Sequence, residues 1–263
     1  MIHIILSFSD WILVSKWSDE GIILNLNKQG EKGMILNVLT RNYGRHLGWY
    51  NIRSKKINFL QPGDYVNLIW KARVSDQLGT FSVELIESTV GKIIENEIKL
   101  DILSSFCSLL NFFIPEREKC SHLYEVSKNY LVELKKQTEE LNLIIIKYLI
   151  WEINILKELG FYFDLKKCAV SGNDFDLKFV SPKTGNAVSE KYAGRFEKKL
   201  LKLPKFLGGI KLLNNNELDD ILGGFELNKY FFKKFVNNID YKYFKMPFLA
   251  REKLLEKFKL KLI

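Results

Sequence analysis

Residues 20–50 read EGIILNLNKQGEKGMILNVLTRNYGRHLGWY, and this stretch decides the fold of the first part of the chain. Apolar residues recur at every second position over 22–26 and again over 34–38, which is the period of a half-buried β-strand. Polar, glycine-containing segments at 27–33 and 40–45 separate these runs. The pattern therefore predicts consecutive β-strands joined by tight turns.

Two further strands are predicted downstream, at Tyr65 to Ala72 and at Thr80 to Ser88, after a turn at Pro62-Gly63. Strands thus fill the region from about residue 20 to residue 90. Five short strands in about 70 residues are typical of a small closed barrel, and the OB-fold is the common barrel of that size. We therefore expect an OB-fold at 15–90.

The hydrophobic period then changes from two to three and four, which predicts helices between about 97 and 160, at 216–238, and from Pro247 to the end. The stretch 168–192 interrupts this pattern as an irregular insert with two turns. The expected fold class is α+β, with the OB barrel followed by a helical domain at 91–263.

Composition and charge limit the classes of protein. The 263 residues are 47% hydrophobic and 27% charged, a balance that supports a packed core and excludes general disorder. Three cysteines are too few for an extracellular disulfide scaffold. The formal net charge of +9 favours polyanionic partners such as nucleic acid or anionic lipid.

Neither the N-terminus nor the longest apolar run predicts membrane insertion. Residues 1–14 lack the basic start of a signal peptide and contain Asp10, so we expect an N-terminal extension that is either an extra strand or an over-extended translation start. The run 141–151 contains Asn142 and Lys147 and is shorter than the roughly 20 residues of a membrane span. A cytoplasmic location is expected.

Basic residues concentrate in the predicted barrel, where residues 41–73 hold seven bases against one acid. Aromatic residues lie between them, and cations that track phosphates beside aromatic faces that stack bases are typical of single-strand binding. The predicted DNA-binding residues are Arg41, Tyr43, Arg45, Trp49, Arg53, Lys55, Lys56, Lys71 and Arg73. Two lysine-rich clusters, at 191–211 and 229–263, are better explained as solvated helix faces than as a binding site.

Enzymatic interpretations lack support. The three histidines are scattered, and the chain has neither a glycine-rich phosphate loop nor a metal-ligand spacing. We therefore predict a non-enzymatic nucleic-acid-binding protein. An RNA-binding accessory factor is the main alternative, since OB barrels bind either polymer. A nuclease is a weaker alternative because no cluster of carboxylates or histidines is evident.

Three segments carry a family resemblance: residues 20–56, residues 60–88 (LQPGDYVNLIWKARVSDQLGTFSVELIES) and residues 155–172 (ILKELGFYFDLKKCAVSG). In their order along the chain they resemble the bacterial DNA repair protein RecO family. The resemblance implies an N-terminal OB-fold, a helical domain and a zinc-ribbon-like insert. It also implies binding to single- and double-stranded DNA, annealing of complementary strands, and action with RecR to load RecA on DNA coated by single-stranded-DNA-binding protein (SSB).

The insert at 166–194 departs from the pattern of those family members that carry zinc on two Cys-x-x-Cys pairs. Here the first pair reads Cys168-Ala-Val-Ser171, and the second aligns with Ser189-Glu-Lys-Tyr192. Of the four ligand positions only that of Cys168 still holds a cysteine, so we expect a degenerate site with no metal and no other cofactor. The insert would then be held by packing of the apolar residues Phe175, Leu177, Phe179 and Val180.

The resemblance also implies a contact with the acidic, hydrophobic C-terminal tail of SSB. Such a tail requires a basic rim around an apolar pocket. The predicted residues lie in the C-terminal helices: Lys233, Lys234, Phe248, Arg251 and Lys253.

Overall fold

The structure is a computed structural model that describes residues 15–31, 33–51, 60–74, 76–137, 140–208, 217–237 and 246–260. The chain divides into two compact units. The first comprises the residues up to Ile94 together with Leu110–Ser121, and the second comprises Glu95–Leu109 and the residues from His122 onward.

The first unit contains a closed five-stranded barrel in its described part. The strands are β1 (Ser15–Gln29), β2 (Gly33–Thr40), β3 (Gly44–Asn51), β4 (Tyr65–Ala72) and β5 (Thr80–Glu87). Their order around the barrel is β1-β2-β3-β5-β4, and each pairing is antiparallel except β3 with β5. The predicted OB-type barrel is thereby confirmed, and β1 begins at Ser15, earlier than residue 20.

The core of the barrel follows the alternation seen in the sequence. On β4, for example, Val66, Leu68 and Trp70 are buried, whereas Asn67 and Ile69 between them are exposed. The buried cluster consists of Ile23, Leu36, Val38, Val66, Leu68, Trp70, Ala72 and Phe81. Because neighbours on a strand face opposite sides, Asn67, Ile69 and Lys71 of β4 lie on the outside of the barrel.

Residues after the barrel strands also pack against β3. Glu116 forms an isolated parallel bridge with Arg45, and the backbone N–H of Arg117 donates to the carbonyl of Arg45 at 2.8 Å. At Gly44, where φ is +71°, an added Cβ would lie 1.9 Å from the carbonyl oxygen of Glu118. This close approach requires glycine. The segment Leu110–Ser121 therefore belongs with the barrel, although it lies within the range 91–263 predicted to be helical.

Helices make up most of the remaining chain. A short helix, α1 (Val90–Ile93), follows the barrel strands, and the longer helices are α2 (Glu97–Phe113), α3 (Ser121–Leu134) and α4 (Leu141–Glu158). The four-residue α5 (Glu190–Ala193) lies at the end of the insert, and α6 (Glu217–Asn237) and α7 (Met246–Leu260) follow it. The predicted helical domain is confirmed. None of the helices in the described ranges is both long enough and apolar enough to cross a bilayer.

The insert contributes two strands, β6 and β7, to a small antiparallel sheet that β8 completes just after the insert, in the order β7-β6-β8. The strands of this sheet are β6 (Leu177–Val180), β7 (Ala187–Ser189) and β8 (Leu201–Lys202). Leu177, Phe179 and Val180 are buried as expected. The prediction for Phe175 is wrong: its side chain is 66% exposed, because Asp176 takes a φ of +60° and the chain turns just before β6 begins.

Candidate nucleic-acid interface

Two lysines face each other on the outer surface of the barrel. Lys16 on β1 is the direct cross-strand partner of Lys71 on β4, and both side chains are exposed. Like charges directly opposite each other on a sheet destabilise it. An anion bound between them would remove that repulsion.

A third cation, Arg73, extends this pair. It follows the end of β4 and is exposed. Together with Lys71 it lines a surface concavity of about 490 Å³, whose other walls come from Gln77 and the start of β5. We call Lys16, Lys71 and Arg73 the basic edge of the barrel.

Next to the basic edge lies a stack of three aromatic rings. The ring of Trp17 lies between those of Tyr43 and Trp70, with centroid distances of 4.2 Å and 5.5 Å and interplanar angles of 13° and 17°. Trp70 is buried and its indole N–H donates to the carbonyls of Leu47 and Leu78. Tyr43, at the other end, is 39% exposed. The stack therefore runs from the barrel core to solvent.

His46 lies edge-on to all three rings of this stack and is buried. Burial is the main cause that lowers the pKa of its imidazole from 6.5 to about 4, together with the positive charges of Arg117 and Arg45; a hydrogen bond to the backbone of Tyr43 acts in the opposite direction. His46 is therefore neutral at pH 7. It contributes packing and no charge to the surface.

The turn that carries Tyr43 is held by hydrogen bonds on every residue. The backbone N–H of Arg41 donates to the carbonyl of Glu20, and both the backbone and the side-chain amide of Asn42 donate to the carboxylate of Asp19. The N–H of Tyr43 donates to the hydroxyl of Thr40 at 3.2 Å. The position of the Tyr43 ring is thus set before any ligand arrives.

The predicted barrel cations do not share one environment. Arg41 is exposed and lines a groove of about 580 Å³ together with Asp19, Glu20 and Glu84, so its charge lies among acids. Arg45 is only 13% exposed: its Nε donates to the carbonyl of Ile114 at 2.6 Å, and its Nη2 lies 3.7 Å from Glu116. Arg45 therefore holds the segment after the barrel strands in place.

The other predicted residues are placed as follows. Trp49 is half-buried and packs across Gly33, where an added Cβ would lie 2.0 Å from its ring. Arg53, Lys55 and Lys56 lie outside the described residues. Lys16 and Trp17 were not among the predicted site residues, although the strand alternation of the sequence could have revealed them. Lys16, Trp17 and Ser18 continue the strand alternation at residues 15–20, ahead of the point where the strands were expected to begin.

The predicted SSB-tail residues are also placed differently from one another. Arg251 is buried and forms a two-pronged ion pair with the equally buried Glu152, with distances of 2.6 Å and 2.9 Å. It is therefore not a rim residue, which corrects the prediction for this position. Phe248 is 6% exposed. Lys234 donates to two backbone carbonyls of the insert.

Two of these lysines do reach solvent. Lys233 is exposed, and Lys253 is 61% exposed with its Nζ 3.2 Å from Asp101. They are the part of the predicted basic rim that remains at the surface.

The degenerate metal position consists of Cys168 and two serines. The backbone N–H and the hydroxyl of Ser189 both lie 3.4 Å from the Cys168 sulfur as donors. Burial raises the pKa of the thiol, but these bonds and those from Ser171 outweigh burial and lower it to about 6. One thiolate with two neutral hydroxyls does not fit tetrahedral zinc. Among the described residues, no three His, Cys, Asp or Glu side chains group as metal ligands.

The fold and the surface together define a class: a protein that joins an OB-type barrel, bearing exposed cations and an aromatic stack, to a helical unit. Comparison with known proteins places it within that class. The family model for the N-terminal part of recombination protein O matches residues 14–89, and the model for its C-terminal part matches residues 98–225.

Individual relatives agree with the family match. The chain is 33% identical to a DNA repair protein RecO of Wolbachia sp. subsp. Drosophila simulans over 224 residues, which covers 84% of this chain and 92% of the relative. It is 40% identical to a DNA repair protein RecO of Mesorhizobium japonicum, over 73% of this chain and 75% of the relative. The chain belongs to the RecO family of DNA repair proteins. The family supports a role of this chain in recombination repair.

Proposed function

We propose that the barrel binds single- and double-stranded DNA through its basic edge and anneals complementary strands. The observation that carries this proposal is the direct pairing of Lys16 with Lys71, continued by Arg73. Phosphate contacts require cations at a surface where they are not already paired with acids. Annealing requires the same property, because two polyanions must be screened at once.

The contact is with phosphates and hence independent of sequence, since phosphates carry no base information. Each phosphate neutralised on a single strand changes the slope of log K against log salt by about −0.7. Three contacts from Lys16, Lys71 and Arg73 therefore account for about two units of slope. Replacing all three should weaken binding to every sequence alike.

The test compares two variants of equal charge change. The variant Lys16→Gln/Lys71→Gln/Arg73→Gln removes the basic edge. The control Lys28→Gln/Lys157→Gln/Lys259→Gln removes three exposed lysines from other parts of the surface. Fluorescence anisotropy with labelled oligonucleotides, at several salt concentrations, measures affinity and slope. Strand annealing is measured in parallel.

We expect the basic-edge variant to lose annealing and about two units of salt slope, whereas the control keeps both. Equal affinity and slope in the two variants would refute the proposal. The same titrations with RNA of identical sequence test the alternative of an RNA-binding factor. Preferential binding of RNA over DNA by tenfold or more would favour that alternative.

We further propose that the chain acts with RecR to load RecA onto SSB-coated DNA. Its membership in the RecO family supports this proposal. Lys233 and Lys253 are the surface cations that would meet the acidic SSB tail, since Arg251 is buried. Annealing of SSB-coated oligonucleotides with and without RecR tests the partnership. The variant Lys233→Glu/Lys253→Glu tests this surface. Unchanged binding of an SSB-tail peptide would refute the assignment of these two lysines to the SSB contact.

A further inference from the structure

Tyr43 is an exposed aromatic residue in a turn that is held by many hydrogen bonds. One face of its ring lies on Trp17, and the side chain is still 39% exposed. The turn beneath it is fixed by the bonds to Thr40, Asp19 and Glu20. The hydroxyl of Ser121 adds a further bond, to the carbonyl of Arg41. A flexible turn would cover Trp17 equally well.

A ring of this kind presents a ready stacking surface. Stacking of a base on an aromatic side chain is insensitive to sequence, because every base has a flat π-face. A preset ring loses little conformational entropy on binding. The basic edge lies close by along the strands, because the Lys16–Lys71 pair is next to the Trp17–Trp70 pair in the register of β1 with β4, on the opposite face of the sheet.

We propose that the outer face of Tyr43 stacks on an unpaired nucleobase, so that the barrel distinguishes single strands from duplex. This inference rests on the proposed DNA binding by the basic edge. The cations contact phosphates in either form of DNA. The stacking contact is available only to a base that is not already stacked within a duplex. Tyr43 therefore adds affinity for single strands alone.

The variant that removes the stacking surface is Tyr43→Leu. Alanine is unsuitable because it would uncover the face of Trp17 and create a second stacking surface. Leucine keeps Trp17 covered and removes the π-face. Tyr43→Phe retains the ring without the hydroxyl and is the matched control.

The variants are titrated with a single-stranded oligonucleotide, with the corresponding duplex, and with a single strand whose bases are replaced by abasic sites. Loss of one base–aromatic contact weakens binding by about tenfold. We expect Tyr43→Leu to lose about this factor for the single strand and nothing for the duplex or the abasic strand, with an unchanged salt slope. Tyr43→Phe should bind as the wild type does.

Each outcome has a defined meaning. Equal losses for single strand and duplex, or no loss at all, overturn the stacking proposal while leaving DNA binding by the basic edge intact. A wild-type protein that binds neither form of DNA refutes the proposed function itself. Should Tyr43→Leu fail to fold, the affinities of the wild-type protein for the normal and the abasic single strand still test the stacking proposal. Equal affinity for the normal and the abasic single strand would show that no base is stacked.

Discussion

Replacement of Arg251 should destabilise the helical unit strongly, because this side chain joins three helices inside the core. Its Nε and Nη2 donate to the two carboxylate oxygens of Glu152 on α4, and Nη2 also donates to the carbonyl of Phe225 on α6 at 3.0 Å. The Nδ2 amide of Asn228 donates to the same carboxylate at 2.9 Å. Burial acts to lower the pKa of Arg251, but the Glu152 carboxylate outweighs it and raises the pKa, so the guanidinium stays charged.

The magnitude follows from the burial of both partners. Arg251→Met leaves the Glu152 carboxylate, which has no exposed surface, without its cation. Breaking a buried ion pair by removing one partner costs about 3–5 kcal/mol. For a unit of 150–250 residues each kcal/mol shifts the Tm by about 2–4 °C. We therefore expect the Tm of Arg251→Met to fall by roughly 6–20 °C.

A double-mutant cycle separates the ion pair from simple loss of packing. Replacing both partners by apolar residues of similar size is often neutral, so Glu152→Met/Arg251→Met should be more stable than either single variant. Lys253→Met is the control, because Lys253 lies on the same helix with its side chain 61% exposed, and its partner Asp101 keeps a second cation, Lys257, at 2.8 Å. Circular dichroism during heating and in urea measures all four variants.

Two results would refute this reasoning. An Arg251→Met variant that unfolds at the wild-type temperature would show that the pair contributes nothing to the helical unit. Losses in the double variant that equal the sum of the single losses would show that the two side chains do not interact. A confirmed prediction also means that charge reversal at Arg251 cannot be used to test SSB binding, since the variant would unfold.

Three further predictions concern the barrel and the insert. Gly44→Ala should destabilise the barrel by more than 1 kcal/mol, measured by urea denaturation, because its φ is +71° and the new Cβ would meet the Glu118 carbonyl; a neutral effect would contradict that packing. The pKa of His46 is about 4 in the folded barrel against 6.5 unfolded, so the stability it contributes is complete above pH 6.5 and falls as the pH drops towards 4. His46→Phe should flatten that part of the pH–stability curve, and an unchanged curve would exclude His46 as its source. The pKa of Cys168 is about 6 when folded against 9.0 unfolded, so the Tm difference between wild type and Cys168→Ala should grow from pH 6 to pH 9, while elemental analysis should find no stoichiometric zinc.

The sequence by itself determined the secondary structure and the barrel. The alternation over 22–26, 34–38 and 65–72 is a local property, and its period of two predicts strands. That one face is buried holds for β4, whereas Ile22–Leu24 of β1 and Leu36–Thr40 of β2 are buried on both faces. The helices were equally predictable: α6 spans Glu217–Asn237 where 216–238 was expected. The start of β1 was missed because Lys16, Ser18 and Asp19 make its first residues polar, so that only Trp17 marks the inner face.

The family could also be recognised from the sequence, since it is carried by the order of many ordinary residues along the chain. The degenerate metal position was visible for the same reason. What replaces the metal was not visible, because the hydrogen bonds from Ser189 to Cys168 join residues 21 positions apart.

Only the tertiary structure decided which charges are available at the surface. Arg45 and Arg251 look like Lys71 in the sequence, yet Arg45 is tied to Ile114, 69 positions away, and Arg251 to Glu152, 99 positions away. Lys16 and Lys71 became neighbours through the register of β1 with β4. A charge is free or paired according to what the fold brings within about 4 Å of it. That distance is set by contacts between remote segments, and no local pattern encodes them.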